Sequence, residues 1–496
     1  MKKHSTPLIV SANLRKSVGK AHGFPRFYFS LMTALFYSLT FFGFRDIMDK
    51  RCNFLRQKTI IGGKADMLSS VIKNNYTAIL KDELRPAMGC TEPIAIAYAA
   101  SILTDALGEM PTEISVGLSG NIIKNVKSVV VPATGGMHGI ESAVAAGIIA
   151  NAHDKKLEVL GALKEEDIPR IQAFKDSCRI SICELNTTCS FDLHLVGKVG
   201  NNVATVRITE THVNVVSVTL NGESLTDDYC APVQADADFE KSKDLRENLL
   251  NVKDIITFAE EVPLDELRPY LERQIEMNMA IAEEGLKNSY GASIGQLLLQ
   301  GASYDTARKA KAYAAAGSDA RMSGCELPVC IISGSGNQGI TASVPVIVYA
   351  KENDIGNETL LRALIVSNLV TIHQKTGIGC LSAYCGAISA GCGCGAGIAF
   401  LFGGRYHQIA HTIVNAVAIL SGTICDGAKP SCAAKIAMAV EAGILGYDMS
   451  KTGRQFYGGD GIVTKGVENT IRNIGRLARE GMEGTDKEII KIMLEK

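Results

Sequence analysis

Six of the fourteen cysteines of this 496-residue chain lie in one stretch, from Cys380 to Cys432. The first four belong to a glycine-rich run, CLSAYCGAISAGCGCGAGIAF, and the last two belong to ICDGAKPSC. Cysteine thiolates bind soft metals and iron–sulfur clusters or take part in redox chemistry, whereas protonated thiols pack as small apolar side chains. The stretch therefore indicates a metal site, a redox site or a tightly packed core.

The spacing of Cys385, Cys425 and Cys432 narrows the kind of metal site. Zinc ribbons use cysteines paired two residues apart, and bacterial ferredoxins use a tight run of four ligands, so neither pattern is met. Three thiolates can still hold a [4Fe-4S] cluster whose fourth iron is open as a Lewis acid. The alternative is that these cysteines are buried small hydrophobes.

The composition is that of a globular protein with large cores, with 46% apolar and 21% charged residues. The 51 basic and 52 acidic side chains give no global field that would attract nucleic acid or an anionic membrane. We therefore expect a small-molecule partner and no nucleic acid. Disulfide scaffolds are short secreted domains, so we expect reduced thiols and a cytoplasmic location. A homo-oligomer is compatible with this composition.

The N-terminal region contains an 18-residue apolar run, residues 27–44, between Arg26 and Arg45. Its length is near the lower limit for a membrane-spanning helix, and no small-residue cleavage site of a signal peptide follows it. The first amphipathic segment begins only at Met67. We interpret residues 1–66 as an extraneous extension, disordered or an apolar helix, with a membrane anchor as the alternative.

The chain after residue 66 has two parts, one with predicted strands and one with mostly predicted helices. Together they predict an α+β fold. Residues 67–255 form the first domain, in which residues 179–224 predict an antiparallel meander and GIESAVAAGIIANAH predicts a covering helix. The runs that predict strands are KSVVVPATGG, KLEVLGAL, RISICEL, FDLHLVGKV, NVATVRITET and NVVSVTLNGES. Residues 256–496 form a mostly helical domain that contains the cysteine stretch. Its apolar helices are interrupted by charged residues before they reach a membrane-spanning length, which favours burial.

Five segments of the chain resemble one family. They are MGCTEPIAIAYA (88–99), LSGNIIKNVKSVVVPATGGMHGIESAVAAG (118–147), SGSGNQGITASVPV (333–346), YCGAISAG (384–391) and CDGAKPSC (425–432). Together they resemble the L-cysteine desulfidase family, also known as the UPF0597 group, which is related to iron–sulfur L-serine dehydratase alpha chains. The resemblance extends from Met67 to the C-terminus and does not include residues 1–66.

The resemblance implies a [4Fe-4S] cluster with three ligands, Cys385, Cys425 and Cys432, and one open iron, without pyridoxal phosphate. It also implies that Cys90 of GCTEP is catalytic. We expect Cys90 to be the base that removes the substrate Cα proton, which requires a thiolate and therefore a depressed pKa. The other cysteines of the stretch match no ligand position and are expected to be packing or near-site thiols: Cys380, Cys392 and Cys394.

An amino-acid substrate needs donors for its carboxylate and a partner for its amine. The loop SGSGNQG offers a nest of backbone N–H groups before a predicted helix, and it lacks the Lys-Ser/Thr ending of a nucleotide P-loop. Its candidate residues are Ser333, Gly334, Ser335, Gly336, Asn337 and Gln338. SGNIIKN and ATGGMHG supply further candidates, namely Ser119, Asn121, Lys124, Thr134, Gly135, Gly136 and His138.

These features lead us to expect a cytoplasmic lyase that performs α,β-elimination on L-cysteine, giving sulfide, pyruvate and ammonia. L-Serine dehydration is the nearest alternative, because it differs only in the leaving group and its iron affinity. Cys90 favours the thiol substrate, since the related serine enzymes lack that cysteine. Two further classes stay open: a zinc-binding or redox protein without lyase activity, and a membrane-anchored binding or transport protein.

Overall fold

The structure is a computed structural model and describes residues 68–229, 248–301, 303–379 and 381–495. These residues belong to one compact unit that begins at Leu68. The apolar run at 27–44 and Cys380 lie outside the described residues. Within them, no helix is both long enough and apolar enough to cross a membrane.

The first part of the chain combines a sheet with covering helices, so the predicted α+β fold is confirmed. In chain order its elements are α1 (Ser70–Glu83), β1 (Pro86–Met88), α2 (Thr91–Leu107), β2 (Glu113–Leu118), α3 (Gly120–Val126), α4 (Gly139–Ala150), two 3-10 helices (His153–Ala162 and Glu165–Asp167), α5 (Ile168–Ser177), β3 (Arg179–Glu184), β4 (Asp192–Val199), β5 (Asn202–Thr209), β6 (Val215–Leu220), β7 (Glu223–Ser224) and α6 (Thr226–Tyr229). Helix α2 packs against β4 and β5 and also against α4, and its side chains are almost all buried.

The main sheet has six strands in the order β3-β2-β4-β5-β6-β7. The predicted antiparallel meander holds for β4 to β7. Strand β3 was expected beside β4, but it lies on the far side of β2 and runs parallel to it, with Ile180 opposite Ile114. The reason is the crossover through α3, α4 and α5, which separates β2 from β3 and returns the chain in the same direction.

Two predicted strands are wrong. In KSVVVPATGG, Val130 makes only an isolated bridge to His138, although the flanking Val129 and Val131 are buried. The run KLEVLGAL lies in the first 3-10 helix, where Leu157 and Leu160 are buried three residues apart. Most of the apolar residues of both runs are buried as expected, but no strand among the described residues pairs with them.

The second part of the described chain is mostly helical, as predicted. Its elements are α7 (Val252–Glu261), α8 (Arg268–Lys287), α9 (Ile294–Leu298), α10 (Thr306–Met322), β8 (Pro328–Cys330), α11 (Gly336–Glu352), α12 (Asn357–Ile378), α13 (Gly386–Leu401), α14 (Tyr406–Leu420), α15 (Cys432–Lys451), α16 (Val467–Arg476), a π-helical turn (Leu477–Gly481) and α17 (Glu483–Leu494). The division of the chain at residue 255 stays a prediction.

Helix α13 explains the glycine-rich run that contains Cys392 and Cys394. It packs against α12 and α15 at very short range. A Cβ atom at Gly391 would lie 2.3 Å from the carbonyl oxygen of Ala439, and one at Gly395 would lie 2.6 Å from that of Gly443. The small residues therefore allow the backbones to approach, and both cysteines are buried in this packing.

Candidate active site

A two-stranded ribbon brings the two halves of the site together. Strand β1 pairs antiparallel with β8, with Ala87 opposite Val329. The chain leaves β1 through Gly89 and Cys90 into α2, and it leaves β8 through residues 331–335 into α11. Gly89 has a φ of +55° and lies against Pro132, so only a glycine fits easily at this turn. The ribbon therefore places the start of α2 beside the start of α11.

Cys90 occupies the N-cap position of α2 and is buried. Its thiol donates a hydrogen bond to Oε2 of Glu92 at 3.0 Å. The other carboxylate oxygen of Glu92 accepts a hydrogen bond from Nδ2 of Asn125 at 2.9 Å. Thr91 anchors the same turn to the opposite loop, because its hydroxyl donates to the carbonyl oxygen of Gly334 at 2.8 Å. Glu92 is thus held as an acceptor for the Cys90 proton.

The electrostatics of this pair differ from the expectation of a depressed thiol pKa. Burial and the neighbouring Glu92 raise the pKa of Cys90 well above its usual range. Burial alone would raise the pKa of Glu92, but His212 when its ring is protonated, the hydrogen bond from the Cys90 thiol and the Arg321 guanidinium together lower it. The resting pair is therefore a protonated thiol that donates to an ionised carboxylate.

Arg321 is a site residue that sequence reasoning missed. Its side chain is 3% exposed, and among the described residues it makes no ion pair or hydrogen bond. Its guanidinium interacts electrostatically with Cys90, Glu92 and Cys432. Every residue of α10 from Ala314 to Met322 is buried, so no helix-face pattern in the sequence sets Arg321 apart.

His212 is the second residue that was missed, and it lies in the turn between β5 and β6. Its ring is buried and packs edge-to-face on Phe191, with 4.7 Å between ring centroids. Burial lowers the pKa of His212, so the ring is neutral at pH 7. Its Nε2 atom is buried without a hydrogen-bond partner. A lone histidine in a turn gives no sequence signal for such a position.

The predicted loop SGSGNQG forms a wall of the same site. The backbone N–H of Ser333 donates to the carboxylate of Glu83, and the backbone of Ser335 pairs with that of Ile332. Gly334 lies against the ring of His212. The side chain of Asn337 is engaged by Ser318. These contacts tie much of the loop to its surroundings.

Two positions of this loop face the site most directly. Gly336 lies against Arg321, because a Cβ atom at Gly336 would be 2.4 Å from Nε of the guanidinium. Gln338 lies against Gly386, the first residue of α13, and its Oε1 atom is buried without a partner. The loop therefore links the Cys90 region to the start of the helix that follows Cys385.

The candidates on α3 are close to the site, but two of them have structural partners. Lys124 is buried in an ion pair with Asp486. The hydroxyl of Ser119 donates to the carbonyl oxygen of Ser190 at 2.9 Å. Asn121 keeps a buried Oδ1 atom without a partner.

The candidates in ATGGMHG are placed differently. Thr134 is buried, and its hydroxyl donates to the carbonyl oxygen of Val131 within the same turn. Gly135, Gly136 and His138 are exposed, and no contact of these side chains with Cys90 is found in the described part of the chain. The structure thus does not bring this motif to the Cys90 pair.

Cys385, Cys425 and Cys432 lie near one another. The N–H of Cys385 donates to the carbonyl oxygen of Thr423 at 3.1 Å, and the N–H of Cys425 donates to that of Ala383 at 2.6 Å. The pKa of the Cys385 thiol is raised to about 12. Burial is the largest cause, and the neighbouring Cys425 and Cys432 act in the same direction. Such mutual repulsion between thiolates is what a bound cation or cationic cluster relieves.

The three thiols do not converge on a single point. Among the residues that the structure describes, no group of three or more His, Cys, Asp or Glu side chains is arranged to hold one metal ion. A [4Fe-4S] cluster differs from a single ion because each thiolate binds a different iron atom.

Positive charge surrounds the three thiols. Cys385 is the N-cap of α13 and Cys432 is the first residue of α15, so both lie at the positive ends of helix dipoles. Lys435 lies close enough to lower the pKa of both thiols, although burial is the larger effect and raises it. Its ammonium also pairs with Asp426 at 2.6 Å. These positive charges offset part of the effect of burial on the thiols.

A direct backbone contact joins this cysteine site to the Cys90 side. Gly427 of CDGAKPSC has a φ of +96°, and a Cβ atom there would lie 2.4 Å from the carbonyl oxygen of Lys124. The next residue, Asn125, holds the Glu92 carboxylate. Segments more than three hundred residues apart in sequence thus form one continuous site.

The comparisons with known proteins agree with the resemblance found in the sequence. A family model described as the serine dehydratase alpha chain matches residues 154–491. A UPF0597 protein of Desulfitobacterium hafniense (strain Y51) is 54% identical over 421 residues, covering 84% of this chain and 96% of the relative. A UPF0597 protein of Lachnoclostridium phytofermentans is 48% identical, covering 84% of this chain and 98% of the relative. A UPF0597 protein of Treponema denticola is 45% identical, covering 84% of this chain and 97% of the relative. The chain therefore belongs to the UPF0597 family, which is related to the serine dehydratase alpha chain.

Proposed function

We propose that this protein is an iron–sulfur lyase, independent of pyridoxal phosphate, that converts L-cysteine to sulfide, pyruvate and ammonia. Its family relationship to the serine dehydratase alpha chain supports a lyase-type activity on a small molecule. The observation that supports the finer assignment is the Cys90 thiol hydrogen-bonded to Glu92 at 3.0 Å, in the same site as three neighbouring thiols.

The donor set fits a [4Fe-4S] cluster held by Cys385, Cys425 and Cys432. The three thiols influence one another electrostatically, and Lys435 offsets part of their charge. When bound, a cluster with three protein ligands supplies one open iron, a Lewis acid that favours departure of a β-substituent.

Cys90 is the proposed base. The thiol proton can move from Sγ to Oε2 of Glu92 along their hydrogen bond, which leaves a thiolate at Sγ. Because the pKa of Cys90 is raised and that of Glu92 is lowered, this proton transfer is uphill in the resting site, but the thiolate that it forms is a stronger base toward the substrate Cα proton than an ordinary cysteine thiolate. Asn125 keeps the carboxylate oriented throughout.

The elimination balances without an external oxidant or reductant. The Cα proton goes to the base, the Cα–H electron pair forms the Cα=Cβ double bond, and the Cβ–S bond breaks to release sulfide. The remaining aminoacrylate reacts with one water molecule to give pyruvate and ammonia. With L-serine the same steps would release water in place of sulfide.

L-Serine dehydration is the second candidate function, because the family model that matches the chain is that of a serine dehydratase chain. An anaerobic assay of the purified full chain decides between the two. It measures sulfide and pyruvate from L-cysteine and pyruvate from L-serine, at equal substrate concentrations.

We expect sulfide and pyruvate in equal amounts from L-cysteine, at a higher rate than pyruvate from L-serine. Boiled protein and Cys90→Ala protein are the controls for non-enzymatic sulfide release. A higher rate with L-serine would replace the proposed substrate, and no product from either amino acid in cluster-loaded protein would refute the lyase assignment.

A further inference from the structure

The unpaired guanidinium of Arg321 indicates how the site recognises its ligand. A buried charge normally has a partner, because without one the free energy lost on removal from water is not recovered. Arg321 is 3% exposed and has none among the described residues. Its planar group of donors suits a carboxylate, which it can bind with two parallel hydrogen bonds. Glu92 interacts with Arg321 electrostatically but forms no ion pair with it, which leaves the donors of the guanidinium for an anion from outside the chain.

The position of Arg321 limits what that anion can be. Its guanidinium lies within electrostatic reach of Cys90, Glu92 and Cys432. Gly336 packs against it, and a side chain there would meet Nε at 2.4 Å. An anion on Arg321 would therefore lie close to both the proposed base and one proposed cluster ligand, where the reacting part of a substrate must also lie.

Buried acceptor atoms in the same site complement the cation. Oε1 of Gln338 and Oδ1 of Asn125 are both buried without hydrogen-bond partners. An ammonium group has three donors and no acceptor, so it can satisfy such oxygens. One unpaired cation and two unpaired acceptors within a single site match a zwitterion better than a simple anion.

We infer that Arg321 binds the α-carboxylate of an α-amino acid, with Gln338 and Asn125 as acceptors for its ammonium group. This inference rests on the proposed function for its place in catalysis, but it concerns binding and is testable without turnover. The competing explanation is that Arg321 only offsets the negative charge of the cluster through Cys432.

Isothermal titration calorimetry of the anaerobic, cluster-loaded full chain tests the inference with two inert probes. L-Alanine has the carboxylate and the amine but no leaving group, and L-alaninamide has a neutral amide in place of the carboxylate. We expect the wild type to bind L-alanine about 10- to 100-fold more tightly, since a charge-assisted bidentate contact is lost with the amide.

Two variants of Arg321 and one control complete the experiment. Arg321→Gln should abolish the preference for L-alanine, and Arg321→Lys should retain part of it. Arg308→Gln on the same helix is the control, because Arg308 donates only to backbone carbonyl oxygens and should leave the preference unchanged. The visible absorbance of the cluster is recorded for each protein.

The outcomes separate this inference from the proposed function. Equal binding of the two probes by the wild type overturns the inference even if the Arg321 variants do not fold. The inference is also overturned if the Arg321→Gln protein still prefers L-alanine to L-alaninamide, or if an Arg321 variant loses cluster absorbance while this preference is unchanged. Either result holds whatever the sulfide assay shows. A preference that depends on Arg321 supports it, even if the chain releases no sulfide from L-cysteine.

Discussion

At the scale of single residues, the pairing of a protonated thiol with an ionised carboxylate is the main feature of the site. A catalytic cysteine is usually activated by lowering its pKa. Here burial and Glu92 raise the pKa of Cys90, while Glu92 stays ionised. The proton acceptor is thus part of the chain, and it is held two residues from the base by Asn125.

Replacing the proposed base tests its role directly. Cys90→Ala should fold and keep the visible absorbance of the cluster, because Cys90 is not among the proposed iron ligands. Its sulfide release from L-cysteine should fall by about 100-fold or more, the usual contribution of a general base. Wild-type sulfide release by the coloured variant would show that Cys90 is not the base.

The pH profile gives a second test of the same pair. Glu92 has a pKa below its usual value of about 4.3, and Cys90 has one above its usual value of about 8.5. Neither group changes its protonation state between about pH 6 and pH 8.

Sulfide release per cluster-loaded molecule should therefore be nearly constant across that range. Glu92→Gln removes the acceptor, so its activity should be low at pH 7 and should rise with pH as the Cys90 thiol ionises by itself. A wild-type profile that rises steeply from pH 6 to pH 8 would contradict this assignment.

At the scale of secondary-structure elements, close helix packing holds the cysteine region in place. Helix α13 follows Cys385 and α15 begins at Cys432, and the two helices meet at Gly391 and Gly443. The glycines that surround Cys392 and Cys394 therefore serve packing, which accounts for much of the composition of this stretch.

A pair of Gly→Ala substitutions measures the value of that packing. Gly391→Ala places a methyl group 2.3 Å from the carbonyl oxygen of Ala439 and should lower the free energy of unfolding by about 1–3 kcal/mol. Gly484→Ala meets no atom within 4 Å and should leave stability equal or raise it by about 0.5–1 kcal/mol. The urea midpoints of unfolding of the two variants measure both stability changes. Equal midpoints would contradict a stabilising role for the close helix contact at Gly391.

Many of the helices and strands were predictable from the sequence. The predictions that failed have a common cause. Periodic segments such as Gly139–Ala150 and Asn357–Ile378 are helices as predicted, because one local pattern is enough to specify them. The strand predicted at 156–163 failed because a strand needs a pairing partner from elsewhere in the chain. For the same reason the place of β3 beside β2 could not be read from local sequence.

At the scale of the whole molecule, the site is assembled from distant parts of the chain. The β1–β8 ribbon joins the GCTEP segment to the SGSGNQG loop, and Gly427 joins the cysteine region to α3. Motif residues such as Cys90 could be proposed from the sequence alone. Arg321 and His212 could not, because only the fold shows that a buried charge and a buried ring lack partners.

The proposed activity depends on the [4Fe-4S] cluster, and the visible absorbance of cysteine variants reports on that cluster. Wild-type chain purified without oxygen should be brown and hold about four irons. Cys385→Ala, Cys425→Ala and Cys432→Ala should each lose most of the colour and iron, whereas Cys392→Ala should keep both. A colourless wild type with stoichiometric zinc, or three ligand variants as brown as Cys392→Ala, would contradict the proposed cluster.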